Sequence, residues 1–176
     1  MAIYVSGSLA FDRIMLMPGK FVDHILPEKL HILSVSFLID RIVEKRGGTA
    51  GNIAYSMHLL GQKATILSAV GRDFQAYAAE LSRWGLTLAG IREMEEELTA
   101  GAYIITDNGG NQINGFCPAA MNFPCEFTFP ATLGPQDIAV VGAGNIRDMY
   151  ELPLRYKEAQ VPYIFDPGQQ IPVLPR

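Results

Sequence analysis

Arg46-Gly47-Gly48-Thr49-Ala50-Gly51-Asn52-Ile53-Ala54 is the stretch on which the fold turns. Its paired glycines permit positive φ and let another chain segment or a ligand approach the backbone closely. Beyond them Ile53, Met57 and Leu60 fall at helical spacing, and Gly61 stands where a glycine ends a helix. Ala64 to Val70 reads as a strand stopped by Gly71. Asp73 is the expected cap of a second helix through Tyr77, Leu81 and Trp84, which Gly85 ends. Loop, helix, strand and helix in such close order predict a parallel sheet built from right-handed βαβ units.

Working outward, Ile3-Tyr4-Val5 is expected to be a buried first strand opening into the turn Ser6-Gly7-Ser8. Turns fall at Pro18-Gly19 and Pro27-Glu28. Leu33, Val35, Phe37 and Ile39 then alternate, predicting one face of a strand within 32–43. Thr99 to Thr106, the turn Asp107-Asn108-Gly109-Gly110-Asn111 and the return Gln112 to Cys117 predict a β-hairpin that interrupts the α/β rhythm and covers something. Ala119 to Pro135, rich in Pro and Phe, reads as irregular. Asp137 to Val141 is an expected strand, Gly142-Ala143-Gly144-Asn145 a loop, Arg147 to Gln160 a helix with Pro153 disturbing its first turn, and Val161 to Phe165 a strand. A parallel strand with no helix after it leaves an apolar face uncovered, which predicts a chain that is one part of a longer protein.

The 176 residues are 49% hydrophobic and 18% charged, with a formal net charge of −4. That is enough apolar material for a core, and disorder is not expected. With pI about 5.3 and no basic cluster, the chain lacks the footprint of a nucleic-acid binder. No apolar run is long enough for a membrane span, and the start does not read as a signal peptide, so a cytoplasmic protein is expected. Cys117 and Cys125, with His24, His31 and His58, have no zinc spacing, so no metal ligands are assigned. The two cysteines read as a reduced pair or as a disulfide.

In an open α/β sheet, ligands bind beyond the carboxyl ends of the strands. Four places answer: Ser6 to Asp12, Gly47 to Asn52, Gly142 to Asn145 and Asp166 to Gln170. Asp12 offers two carboxylate oxygens to a pair of hydroxyls, or else serves as a turn residue. Gly47, Gly48 and Asn52 form a ligand loop or a tight turn into a helix; no phosphate-binding fingerprint is present. Gln169 and Gln170 either hydrogen-bond a ligand or are solvated. Phe37, Phe116 and Met121 either line a cleft or belong to the core.

In order, these elements resemble the ribokinase-like (PfkB) carbohydrate kinases. Gly7-Ser8-Leu9-Ala10-Phe11-Asp12 is similar to that family's first-strand element. Gly47-Gly48-Thr49-Ala50-Gly51-Asn52-Ile53-Ala54, followed by Leu60-Gly61 and Val70-Gly71-Arg72-Asp73, is similar to its N-terminal signature. Further segments, Ser34 to Leu38, Pro118 to Met121 and Asp166 to Gln170, bring the chain nearest the bacterial adenosine kinases of that family.

The resemblance implies a three-layer α/β/α fold with a mainly parallel sheet, incomplete at its C-terminus. It implies one ribokinase-like domain over 1–176, with a small β-sheet lid from about 13–46 and 98–118, through which two copies form a homodimer. It implies that Asp12, Gly48 and Asn52 hold ribose hydroxyls, with Gly47 in the same loop. Ser8, Phe116, Met121, Gln169 and Gln170 would surround the adenine, and Ser36 and Phe37 would belong to the lid. The implied reaction is ATP-dependent phosphorylation of the 5′-hydroxyl of adenosine. Alternatives are a sugar kinase acting on ribose, fructose or another nucleoside, and a non-catalytic binding or dimerisation module. Gly101-Ala102 stands where the family pattern calls for an aromatic on the lid strand. The D-T-x-G-A-G-D segment that carries the family's catalytic aspartate is not among these residues, so no catalytic residue is assigned here. ATP and Mg2+ are implied as cofactors, held mainly by residues outside this sequence.

Overall fold

A computed structural model describes residues 1–174 as two compact units. The larger comprises Met1–Ala10, Arg46–Ala100 and the chain from Pro118 onward; the smaller comprises Phe11–Lys45 and Gly101–Cys117.

The larger unit is organised on five strands, β1 (Ile3–Ser6), β4 (Ala64–Gly71), β5 (Ile91–Met94), β8 (Ile138–Val141) and β9 (Tyr163–Phe165), in the order β5-β4-β1-β8-β9. All the pairs are parallel, with Val5 opposite both Ile66 and Val140. β1 and β4 are almost wholly buried, as strands in the middle of a parallel sheet must be. The helices are α1 (Thr49–Leu59), α2 (Gln75–Arg83) and α3 (Ile146–Glu158). From β1 the chain steps to β4 and then β5, whereas β8 steps the other way to β9. Right-handed crossovers therefore place α1 and α2 on one face and α3 on the other. The α3 face closes a core of Tyr4, Leu67, Val141, Met149, Leu152 and Tyr156. Phe129 meets the Tyr4 and Tyr156 rings edge-on at 5.1 and 5.5 Å. The segment read as irregular thus has a packing role, with only a short 3-10 turn at Ala119–Asn122.

The smaller unit carries most of a second sheet, β3-β2-β6-β7, made of β2 (Ala10–Leu16), β3 (Arg41–Gly47), β6 (Ala100–Thr106) and β7 (Gln112–Cys117). β6 and β7 form the expected antiparallel hairpin, with Ala102 opposite Phe116.

Three readings are corrected. The strand expected within 32–43 is instead a 3-10 turn at Pro27–Ile32, an extended stretch without ladder partners, and β3 beginning at Arg41. Apolar alternation there marks burial by turns, not pairing. Asp73 does not cap α2: Phe74 is its N-cap residue, and the Asp73 carboxylate accepts from the Thr99 N–H at 2.7 Å. Pro153 lies in the middle of α3, not its first turn, with Asn145 capping the helix by accepting from the Asp148 N–H. β2 and β5 were not anticipated. Cys117 is exposed, Cys125 is buried, and both are free thiols.

Candidate functional site

Order reversal between β1 and β8 makes a switch point, where loops leaving neighbouring strands diverge and leave room for a ligand. In the larger unit, three of the four loops picked from the sequence are tied together here. Gly48, at φ +89°, sits so close to Ser8 that an added Cβ would lie 2.4 Å from the Ser8 carbonyl oxygen. The Ala50 N–H donates to that oxygen at 3.0 Å, and the Thr49 N–H donates to Ser8 Oγ at 3.0 Å. Thr49 Oγ1 donates to the Ala143 carbonyl at 2.6 Å and accepts from the Ser8 N–H at 3.1 Å. The fourth loop joins through Gln170, whose side-chain amide donates to the Gly144 carbonyl at 3.0 Å. The Asn145 amide reaches the Met121 carbonyl at 3.0 Å.

Ser8, Gly47, Gly48 and Gln170 are thus brought together, and Met121 is held beside the loop after β8. Asn52 is exposed in the first turn of α1, and Gln169 is exposed. Thr49 and Tyr77 were missed by sequence reasoning. The Tyr77 hydroxyl donates to the Gly47 carbonyl at 3.0 Å, holding the glycine loop from beneath. A threonine directly after Gly-Gly at a helix start is a local signal that could have found the first; nothing local marks the second.

The smaller unit holds Asp12, Ser36, Phe37 and Phe116. Side chains alternate faces along a strand. Arg13 bonds Glu44 at 2.9 Å and the Tyr103 hydroxyl at 3.1 Å, so those three share one face. Asp12, Lys45 and Ala102 therefore lie on the other, and Phe116, opposite Ala102, lies with them. The Asp12 carboxylate makes no hydrogen bond among the described residues, and the residue is half-buried. Loss of water pushes its carboxyl above the usual range, against a smaller opposing pull from the Lys45 charge. Phe116 is 55% exposed. Phe37 is committed differently: its ring meets Phe21 at 5.2 Å and His24 at 5.9 Å, while Ser36 is exposed.

The arrangement can accept hydroxyl protons at Asp12 and stack a flat apolar group on Phe116. Among the described residues no three His, Cys, Asp or Glu side chains come together as a cation site. No helix among them is long and apolar enough to cross a membrane.

The parallel sheet, its switch point and the second small sheet define a ribokinase-like α/β protein. The model of the pfkB carbohydrate kinase family matches residues 13–143, and the chain belongs to that family. It is 30% identical over 137 residues to a nucleoside kinase of Methanocaldococcus jannaschii, covering 71% of this chain and 45% of that one. Among solved structures, the nucleoside kinase of Burkholderia thailandensis in complex with inosine is similar with TM-score 0.79 and 33% identity, over 98% of this chain and 55% of that one. The solved structure of the Methanocaldococcus jannaschii kinase, an archaeal member of the ribokinase family, is similar with TM-score 0.78 and 28% identity, again over 98% of this chain and 55% of that one. The chain spans about half the length of these relatives.

Proposed function

We propose that this chain supplies the acceptor-binding half of an ATP-dependent nucleoside kinase that phosphorylates the 5′-hydroxyl of its substrate. The observation that carries the reading is Asp12. A half-buried carboxylate with no hydrogen-bond partner among the described residues, on one face with an exposed aromatic, suits a ligand with a hydroxyl pair and a flat base. Within the smaller unit Asp12 accepts from the ribose diol and Phe116 stacks on the base. The family resemblance assigns Gly48 and Asn52 to the same hydroxyls, Ser8, Met121, Gln169 and Gln170 to the base, and Ser36 and Phe37 to the lid. These residues bind and orient; ATP, when bound, supplies the phosphoryl group. The nucleoside kinase relatives, one of them solved with inosine, support a nucleoside over a bare sugar. Adenosine is the acceptor the sequence resemblance favours.

A homodimer through the smaller unit belongs to the same proposal. Val22, Ile32 and Leu38 of that unit are each at least two-thirds exposed, at 70%, 67% and 76%. Burying such side chains favours association.

The test is a thermal-shift panel of adenosine, inosine, ribose and fructose, since a ligand bound only by the native state raises its stability. Nucleosides should stabilise and sugars should not. Asp12→Ala should weaken nucleoside binding roughly 10- to 150-fold, the worth of one hydrogen bond to a charged group. An equal response to ribose would favour the sugar-kinase reading, and an unchanged Asp12→Ala response would remove Asp12 from the site.

A further inference from the structure

Asp107 is the most heavily bonded carboxylate of the smaller unit. It is 5% exposed, at the first position of the turn between β6 and β7. Its Oδ1 accepts from the Gly109 N–H at 2.8 Å and the Asn111 N–H at 2.9 Å. Its Oδ2 accepts from the Asn111 side-chain amide at 3.0 Å and from the Phe21 N–H at 3.0 Å. The Asn111 amide foremost, then these backbone donors, hold its acidity near 2 against the opposing effect of burial. One oxygen therefore makes the turn. The other shares a bond with the turn and reaches a segment 86 residues away.

That segment is fastened at two further points. The Met17 N–H donates to the Thr106 carbonyl and the Asn108 N–H to the Gly19 carbonyl, both at 2.9 Å. Phe21, 8% exposed, then presents its ring to Phe37. Phe37 has Phe21 and His24 as its aromatic neighbours, both on the segment that the hairpin turn holds.

We propose that Asp107 is a positioning residue for the acceptor: through the Phe21 N–H it sets the Phe21 ring, and through that ring the place of Phe37. A turn needs only Oδ1; the bond to Phe21 has no part in closing the hairpin. This inference rests on the proposed role of Ser36 and Phe37 at the base of the acceptor.

Asp107→Asn separates the two jobs of the carboxylate. The carboxamide oxygen still closes the turn, as asparagine does at this position, while its NH2 faces the Phe21 N–H and cannot accept from it. The experiment uses the 176-residue chain, with adenosine and inosine binding measured by calorimetry and amide exchange followed at Phe21 and Asn111. Asp107→Asn should speed exchange at Phe21 but not at Asn111, and should weaken nucleoside binding about fivefold or more. Phe21→Leu, which keeps the backbone bond and removes the ring, should weaken nucleoside binding alike. Asp107→Asn added to Phe37→Leu should weaken binding no further, because both act on one ring. Asn111→Ala, which loosens the turn without touching the Phe21 bond, should leave nucleoside binding as it is. Nucleoside binding unchanged in Asp107→Asn, weakened equally by Asn111→Ala, or weakened additively with Phe37→Leu would each overturn the positioning role alone. Failure of the unaltered chain to bind any nucleoside would remove the acceptor reading as well.

Discussion

Replacing Gly48 with alanine tests how the loop at the end of β1 is built. Gly48 has φ +89° and ψ 148°, a region open essentially to glycine, and forcing another residue there costs about 1–3 kcal/mol. The new Cβ would also lie 2.4 Å from the Ser8 carbonyl oxygen and 2.8 Å from the Ala10 nitrogen. Both are backbone atoms, so relief requires the two loops to part. Parting them strains the bonds from the Ala50 and Thr49 N–H groups to Ser8, each worth about 0.5–1.5 kcal/mol. The sum is about 2–6 kcal/mol, and at about 2–4 °C per kcal/mol for a chain of this size the melting point falls by roughly 4–24 °C. Gly61 provides the control. Its φ is +74° but an added Cβ meets nothing within 4 Å, so Gly61→Ala costs only the backbone term of about 1–2 kcal/mol. Thermal denaturation followed by circular dichroism should show the Gly48 variant losing at least about twice what the Gly61 variant loses. Equal losses would refute the close approach of the two loops as the reason for glycine at 48.

Tyr156 is fully buried and its hydroxyl has no hydrogen-bond partner, so Tyr156→Phe should leave stability unchanged or raise it by up to about 1–3 kcal/mol in urea denaturation. A loss of stability would show that the hydroxyl is satisfied. A thiol reagent at pH 8 should label one cysteine per native chain, the exposed Cys117, whereas two labelled without denaturant would contradict the burial of Cys125. Burial first, and the nearby Asp148 charge second, push the Cys125 thiol up to about 12 from its usual value near 9. A raised acid favours the folded state below the unfolded value. This contribution should therefore be complete below pH 9 and lost as pH rises from 9 to 12, a loss that Cys125→Ala removes from the alkaline denaturation profile.

Local chemistry decided much of this protein. Gly47-Gly48 before a helical run, the glycines closing α1 and β4, and Asp107 to Asn111 between two β-prone runs each carry their meaning within about ten residues. The parallel sheet and the hairpin were legible for that reason. Ser8, Asp12, Gly48 and Asn52 could be singled out because short motifs keep their spacing in the chain whatever the rest does. Pairing was different. β5 has no local signal because what makes Ile91–Met94 a strand is β4, some twenty residues away. β3 begins at Arg41 and not at Leu33 because the ladder depends on where β2 lies, which no alternation within 32–43 records. The same holds for the bonds that make a site. Asp12 and Phe116 share a face only once β2 and β7 flank β6. Thr49 bridges Ser8 and Ala143, across 41 and 94 residues, only once β1 and β8 are neighbours. Sequence by itself determined the family, the elements and the residue types at the strand ends, because those rest on local backbone preference. Which side chains meet, and whether the Asp12 carboxylate finds a hydrogen-bond partner, only the tertiary structure decided, because hydrogen bonds and burial depend on what the folded chain brings within about 3 Å.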